Sequence, residues 1–307
     1  QFWNVLLSAR LRYKSITYAE WVARWPFWND RIAAMTPKVK NMLQKKYQKK
    51  CIVVGDLMAD IEDTAKRNNP LPEGKWIALL PGSKKAKLMI GIPFFLEVVD
   101  CLSKLNPELK FLLPIAPTTN INDIQEYSSL KNPIARKYKS GIKEITNNLN
   151  ESNLQELITI NKTRVKLINE HPAHEYLSQC DLALTTVGAN TAELGSLAVP
   201  MIVIIPTQHI GVMQAWDGII GIIGRLPILK RFLGLLISLW RIRRNKFFAW
   251  PNITANRIIV PERIGKIYPE QIAQEASRWI DSKTYLKKQK EDLKNLRGKP
   301  GAIECLT

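Results

Sequence analysis

Cysteine is scarce in this chain of 307 residues, which contains only four. Cys51, Cys101, Cys180 and Cys305 are widely separated and none belongs to a CxxC spacing, which argues against a zinc-binding or dithiol motif. Because the first three lie next to apolar runs, we expect buried free thiols in a reducing compartment. We therefore expect no metal and no other bound cofactor.

The chain also lacks a hydrophobic run that is long enough to span a bilayer. Its most apolar region, residues 210–248, contains FLGLLISLW as its longest uncharged stretch, interrupted on the N-terminal side by Lys230 and Arg231. A basic segment that carries Trp and Phe is typical of a helix lying in the membrane interface. The alternative interpretation is a pair of amphipathic helices packed on the protein itself or on another subunit.

Acidic residues are in the minority, with 27 Asp and Glu against 45 Lys and Arg, for a formal net charge of +18. A balance this basic indicates an anionic partner such as phosphate groups, an anionic membrane or a nucleic acid. The sequence contains no RNA-recognition, zinc-finger or helix-turn-helix signature that would place the charges against bases. We therefore expect no nucleic-acid partner.

Short apolar runs alternate with helical stretches from residue 51 onward. The predicted strands lie within 51–55, 76–83, 110–117, 181–190 and 200–206, and helical spacing follows at 93–105, 174–180 and 191–198. Strands that are apolar throughout predict an α/β fold with a parallel sheet covered on both faces. A polar stretch at 136–169 breaks the pattern and is interpreted as a solvent-facing hairpin or helix.

Two loops at predicted strand ends carry residues suited to phosphate. In LLPGSKKAK (79–87), Gly82 and Ser83 allow backbone N–H groups to approach an anion, and three lysines add positive charge. In TTVGANTAELGS (185–196), Gly188 removes a Cβ, and Asn190 or Thr191 is expected to cap the following helix. Glu193 then has two readings: a structural carboxylate near the helix start, or an acceptor for ribose hydroxyls.

Four segments together resemble the lipid-A-disaccharide synthases, which are inverting glycosyltransferases of the GT-B fold. The segments, in chain order, are VVGDLMAD (53–60), IALLPGSKKAK (77–87), DLALTTVGANTAELGSLAVPMIV (181–203) and FFAWPNITANRIIVPE (247–262). The resemblance runs from about residue 20 to residue 285. It implies two Rossmann-like domains, with UDP-N-acetylglucosamine held chiefly by the C-terminal one.

The resemblance also implies a set of donor-binding residues. They are Gly82, Ser83, Lys84, Gly188, Asn190, Thr191, Glu193, Asn252 and Arg257. Glu193 would bind the ribose or the sugar, and most of the others would face the diphosphate. The alternatives for Asn252 and Arg257 are local, a turn at Pro251-Asn252 and neutralisation of Glu262 by Arg257.

The sequence departs from the family in several places. Lys84 stands where the family has Arg and lacks the bidentate fork of a guanidinium. Asp56-Leu57 replaces a His-Pro pair, and the segment after Pro206 carries a long apolar insertion. The family's acceptor domain, with its candidate acidic catalytic residue, would lie largely before Gln1. We therefore expect an N-terminally truncated chain and assign no catalytic residue.

These interpretations predict three parts. Residues 1–70 would be a remnant of the N-terminal domain with its linker, residues 71–268 the nucleotide-sugar-binding domain, and residues 269–307 a C-terminal helix and tail. His171 and His174 have two interpretations, a role on the donor side or a plain helix start at His171-Pro172, and the second is favoured. A role for His209 is left open.

The expected function is transfer of a sugar, of the N-acetylglucosamine type, from a UDP-sugar to a lipid acceptor by a cytoplasmic protein at the membrane surface. A homodimer is a further expectation that the resemblance raises. The alternatives are another GT-B transferase for a glycolipid or peptidoglycan precursor, or a non-catalytic, membrane-associated protein that binds nucleotide sugars.

Overall fold

The computed structural model describes residues 2–61, 70–147, 155–209, 246–297 and 300–305. The membrane-interface interpretation of 210–248 therefore falls almost wholly outside the described residues. The chain forms two compact units, one of Gln1–Thr64 with Arg297–Thr307 and one of Ala65–Leu296. The described part of the C-terminal tail thus belongs to the same unit as the N-terminal segment.

The first unit is built around three parallel strands in the order β1-β2-β3. The strands are β1 Ile16–Ala19, β2 Arg31–Ala34 and β3 Cys51–Val53, and the helices are α1 Phe2–Leu11, α2 Pro37–Asn41 and α3 Lys45–Gln48. Ile32, Ala34 and Val39 are among the residues of its small core. The Asp60 carboxylate accepts hydrogen bonds from the backbone N–H groups of Gly301 and Ile303, which attaches the tail to this unit.

The second unit contains an eight-stranded sheet in the order β11-β10-β9-β4-β5-β8-β7-β6. Its strands are β4 Trp76–Leu80, β5 Lys110–Pro114, β6 Ile142–Asn147, β7 Gln155–Thr159, β8 Arg164–Ile168, β9 Leu182–Thr186, β10 Met201–Pro206 and β11 Glu262–Gly265. Its helices are α4 Lys85–Leu105, α5 Ile121–Ser128, α6 Pro133–Tyr138, α7 His174–Leu177, α8 Ala189–Ser196, α9 Trp250–Ala255, α10 Pro269–Asp281 and α11 Lys283–Leu296. All neighbouring strands are parallel except at β6-β7 and β7-β8.

The predicted α/β class with a parallel sheet is confirmed. Every residue of β4 and of β9 is buried, because helices cover both faces of the sheet. Helix α4 supplies a large part of the core through Phe94, Phe95 and Leu96, and α10 packs against it. Burying such side chains stabilises the fold by about 2 kcal/mol each.

The prediction of a hairpin within 136–169 is confirmed, but the prediction that it faces solvent is wrong, because its strands belong to the main sheet. Strands β6 and β7 form a hairpin that β8 extends, and β8 pairs in parallel with β5. Leu157 and Val165 are fully buried in the main core. The high content of Lys and Asn in 136–169 conceals these buried positions in the sequence, and residues 148–154 lie outside the described part.

The chain reverses its direction of sheet assembly between β4 and β9. From β4 it passes through α4 to β5 on one side, and it later returns to place β9 on the other side of β4. In open parallel sheets, such a switch point leaves a crevice beyond the carboxyl ends of the two strands. The loops after β4 and β9 are the two that the sequence singles out for phosphate.

Candidate ligand-binding cleft

The loop after β4 has a backbone shape that requires glycine. Gly82 has φ of 107°, and a Cβ at this position would lie 3.0 Å from Cδ of Lys87. Lys84 occupies the N-cap of α4, so that helix begins directly at the loop, and no side chain in the described part of the chain caps its N–H groups. Within α4, a Cβ at Gly91 would lie 2.7 Å from Cβ of Pro81, so glycine there lets the helix pack closely on the loop.

The loop after β9 begins its helix earlier than the sequence predicts. Gly188 is the N-cap of α8, whose first residue is Ala189, and no side chain among the described residues caps the helix. The expectation that Asn190 or Thr191 caps it is therefore wrong. Thr191 is buried, donating a hydrogen bond of 2.9 Å to the Gly188 carbonyl and accepting one of 3.0 Å from the Trp250 N–H. It fixes α9 against α8 instead of facing the cleft.

Lys87 connects the two loops. Its Nζ donates a hydrogen bond of 2.6 Å to the carbonyl of Val187. A Cβ at Gly188 would lie 3.5 Å from the same Nζ, so the ammonium lies beside the second glycine of the site. Burial, with a smaller contribution from Lys84, lowers the pKa of Lys87 below its ordinary value. A nearby anion would oppose that shift, because it would favour the charged form of the lysine.

A cleft of about 480 Å³ lies over these loops. Four of the nine predicted donor-binding residues line it: Gly82, Ser83, Asn190 and Glu193. The remaining walls come from the ends of β4 and β5 and from the segment before α7, which includes His171. Helices α4 and α8 both begin at this edge of the sheet, and the backbone N–H groups and positive dipole end of a helix N-terminus favour an anion.

Glu193 lies on the wall of the cleft and is paired with a histidine. Its Oε1 is 3.0 Å from Nε2 of His174, and 25% of the glutamate side chain is exposed. The histidine is the first residue of α7 and is buried. His171 lies in the wall of the cleft, and His174 contacts Glu193, the only carboxylate among the described residues that line it. A donor-side role for the two histidines stays a prediction.

Thr186, the last residue of β9, adds a polar group that the sequence does not single out. Its Oγ1 is buried and has no hydrogen-bond partner within the described parts of the chain. The same atom lies 3.4 Å from the position that a Cβ would take at Gly82. Buried hydroxyl groups are usually paired, so an unpaired one at a glycine loop is consistent with a ligand contact.

Two predicted donor-binding residues lie elsewhere. The side-chain amide of Asn252 donates to the Val260 carbonyl and to Glu262, both at 2.8 Å, and its oxygen accepts from two backbone N–H groups. Arg257 forms an ion pair of 3.0 Å with Asp292, not with Glu262. Both residues line a separate pocket of about 510 Å³ near β11 and α11.

One group of metal-ligand residue types lies away from the cleft, between α4 and α10. Ligand atoms of Glu97, Cys101 and Glu270 all lie within 4.8 Å of one another. Burial raises the pKa of Cys101 to about 11, which disfavours the thiolate that metals bind. All four cysteines are free, with Cys51 and Cys180 buried as expected, Cys101 half-buried and Cys305 exposed.

Among the residues that the structure describes, no helix has both the length and the apolar composition that crossing a bilayer requires.

The side chain of His209, at the end of a short 3-10 helix after β10, lies outside the described atoms.

Comparison with curated proteins finds several similar sequences of one kind. The chain is 26% identical over 248 residues to the lipid-A-disaccharide synthase of Sulfurihydrogenibium sp., covering 79% of this chain and 52% of that protein. It is 24% identical over 285 residues to the enzyme of the same name from Syntrophus aciditrophicus, covering 90% and 60% respectively. Over most of its length, this chain is similar to proteins named lipid-A-disaccharide synthases.

The predicted resemblance is thus confirmed, since the similarity extends over 79% and 90% of this chain in the two alignments. The chain spans about half the length of the curated relatives it matches, with 52%, 39% and 53% covered in three of them. No family model matches the chain.

A solved structure confirms the GT-B type of fold. The crystal structure of a protein described as a UDP-N-acetylglucosamine 2-epimerase, from Listeria monocytogenes, superimposes with a TM-score of 0.50 at 13% identity. The superposition covers 94% of this chain and 65% of that one. At this identity the likeness concerns the fold alone.

Proposed function

We propose that this chain binds a UDP-sugar in the cleft between the β4 and β9 loops, as the donor-binding part of a glycosyltransferase. The observation that carries the proposal is the meeting of two glycine loops and two helix N-termini at the switch point of the sheet. Lys87 lies between the loops as a cation, and Glu193 stands one helical turn inside α8. This arrangement suits a diphosphate joined to a hydroxyl-bearing ribose.

The acceptor in this proposal is a lipid, and the product resembles the disaccharide that the curated relatives are named for. Two features support this finer assignment: the names of those relatives and the basic, aromatic-bearing sequence of residues 210–248. We further propose that the protein acts from the cytoplasmic side as a peripheral membrane protein.

The reaction would be a direct displacement at the sugar. A hydroxyl oxygen of the acceptor forms a bond to the anomeric carbon, the bond from that carbon to the diphosphate oxygen breaks, and a base takes the hydroxyl proton. UDP leaves with the bonding electrons. Helix N–H groups and Lys87 would stabilise the negative charge that grows on the diphosphate, so this proposal includes no metal.

Calorimetric titration with UDP and UDP-N-acetylglucosamine tests the proposal. We expect binding in the micromolar to low-millimolar range, and we expect Glu193→Ala to weaken it at least about tenfold, or 1.4 kcal/mol. Arg257→Ala is the matched control, because it also removes a charged residue named by the resemblance but lies in the other pocket. Absence of UDP binding, or equal weakening by both substitutions, would contradict the assignment of the site.

A panel of UDP-sugars with lipid and non-lipid acceptors separates this function from the neighbouring ones. Transfer of N-acetylglucosamine-type sugars to an acylated sugar acceptor supports the finer assignment. Transfer to a different glycolipid or to a peptidoglycan precursor would support the proposed donor site and contradict the proposed acceptor. Binding without any transfer would support a non-catalytic nucleotide-sugar-binding protein.

A further inference from the structure

Glu193 and His174 come from different elements and meet at the wall of the cleft. Glu193 lies in α8, which follows β9, whereas His174 is the first residue of the short helix α7, which precedes β9. The 3.0 Å contact joins Nε2 of the histidine to Oε1 of the glutamate. The three residues before His174, from His171 to Ala173, also line the cleft.

We propose that His174 is a positioning residue that holds the Glu193 carboxylate in the orientation needed to accept ribose hydroxyls. This inference rests on the proposed function and extends it to the recognition of the ribose. The histidine donates its Nε2–H to Oε1 and directs the second oxygen, Oε2, toward a ligand in the cleft. A neutral histidine with its proton on Nε2 and a protonated histidine can both make this donation.

Burial of the histidine is what makes the pairing effective. His174 is 8% exposed, so its ring is fixed by the surrounding protein, while Glu193 remains partly open to the cleft. A glutamate side chain that is held in one rotamer loses less conformational freedom when a ligand binds. Hydrogen bonds that involve a charged acceptor are also stronger than those between neutral groups.

A purely structural role for the pair would predict a different pattern of binding. If the contact only attached α7 to α8, removing it would weaken all ligands of the cleft alike. If it positions Glu193 for the ribose, the loss is confined to ligands that carry ribose hydroxyls. The two cases are therefore separated by comparing UDP with 2′,3′-dideoxyuridine diphosphate, which lacks both hydroxyls.

The experiment measures the affinity of the wild-type chain and three variants for these two ligands by calorimetry. His174→Leu removes the donor, His174→Asn shortens it, and His174→Gln keeps an N–H at a similar reach. We expect His174→Leu and His174→Asn to weaken UDP by about tenfold and to leave the dideoxy ligand within about twofold. His174→Gln should retain most of the wild-type preference for UDP.

Each other result overturns a defined part of the account. Equal weakening of both ligands, or no effect of any His174 variant while Glu193→Ala still weakens UDP, contradicts the positioning role alone. Failure of the wild-type chain to bind UDP overturns the proposed function and this inference with it. If His174→Leu does not fold, the comparison of His174→Asn with His174→Gln gives the same decision, and thermal melting of each variant establishes that it is folded.

Discussion

The two edges of the second unit's sheet use similar residue types for opposite purposes. At the carboxyl edge, beside β4 and β9, glycines expose the backbone, helix N-termini carry no side-chain cap, and a buried threonine hydroxyl has no partner among the described residues. Near the start of β11, Asn252 and Gln289 use their amide groups to bind backbone atoms. The first edge is open to a ligand, whereas the second is satisfied by the protein.

The comparison shows that polar residues in a pocket do not by themselves identify a binding site. The pocket near β11 has the larger volume, about 510 Å³ against 480 Å³, and it contains several cations. Both of its arginines are nevertheless paired, since Arg257 contacts Asp292 and Arg263 contacts Glu275. Buried polar groups without hydrogen-bond partners are a better indication of a binding site, especially at the point where the strand order of a parallel sheet reverses.

The largest effect is expected at the satisfied edge, from Asn252→Ala. The substitution leaves the N–H groups of Ile259 and Val260 and the Val260 carbonyl without their side-chain partner. We expect the free energy of unfolding to fall by about 3 kcal/mol, with UDP affinity of the folded protein unchanged. Urea denaturation measures the free energy of unfolding, and calorimetry below the unfolding transition measures UDP affinity. A loss of UDP affinity with unchanged stability would contradict a purely structural role for Asn252.

At the open edge, Lys87→Met should have a large effect on binding. The substitution keeps a long apolar side chain. It removes the Nζ group that donates to the Val187 carbonyl and lies beside Gly188. We expect UDP affinity to fall by about tenfold to a hundredfold. Lys85→Met, at an exposed position in the same first turn of α4, is the matched control and should change affinity by less than about threefold. Similar effects of the two substitutions would mean that only the general positive charge matters.

The pH dependence of UDP binding sharpens the assignment of Lys87. Burial lowers its pKa in the free protein, and a bound diphosphate would raise it again by favouring the charged form. Binding therefore takes up a proton, so affinity should fall as pH rises through the lowered pKa of the lysine. Titrations from neutral to alkaline pH in the wild type and in Lys87→Met test this, since the variant removes the lysine's contribution. Identical profiles would exclude Lys87 from the site.

The smallest effect is expected from Arg257→Ala. The arginine and its partner Asp292 form an ion pair that is mostly open to solvent on the arginine side. Such pairs contribute about 0.5 kcal/mol, so the free energy of unfolding should change by no more than that, with UDP affinity unchanged. Thermal melting and a UDP titration measure both. A tenfold loss of UDP affinity would restore Arg257 to the donor site.

Much of the open edge is predictable from sequence because its signals are local. Gly82, Ser83, Asn190 and Glu193 lie in short loops at the ends of apolar strands, and parallel strands bring their carboxyl ends to one edge of a sheet. The reversal of strand order that places β4 beside β9 then joins the two loops.

The rest depends on contacts that no local pattern encodes. His174 meets Glu193 only because α7 and α8 flank the same strand, and Thr186 is distinguished only because its hydroxyl has no partner among the residues that the structure describes. Arg257 and Asp292 are separated by 35 positions, so their pairing becomes visible only in the folded chain. For the same reason, no local pattern predicts that residues 136–169 belong to the sheet, because β8 pairs with β5, which lies far earlier in the chain.

Hydrogen–deuterium exchange with and without UDP distinguishes the two edges of the sheet in one unmodified sample. If UDP binds at the glycine loops, exchange becomes slower in the segments 82–88 and 187–193 and stays unchanged in the segment 252–264. Protection of the segment around Asn252 and Arg257, with no change at the two glycine loops, would contradict the proposed donor site.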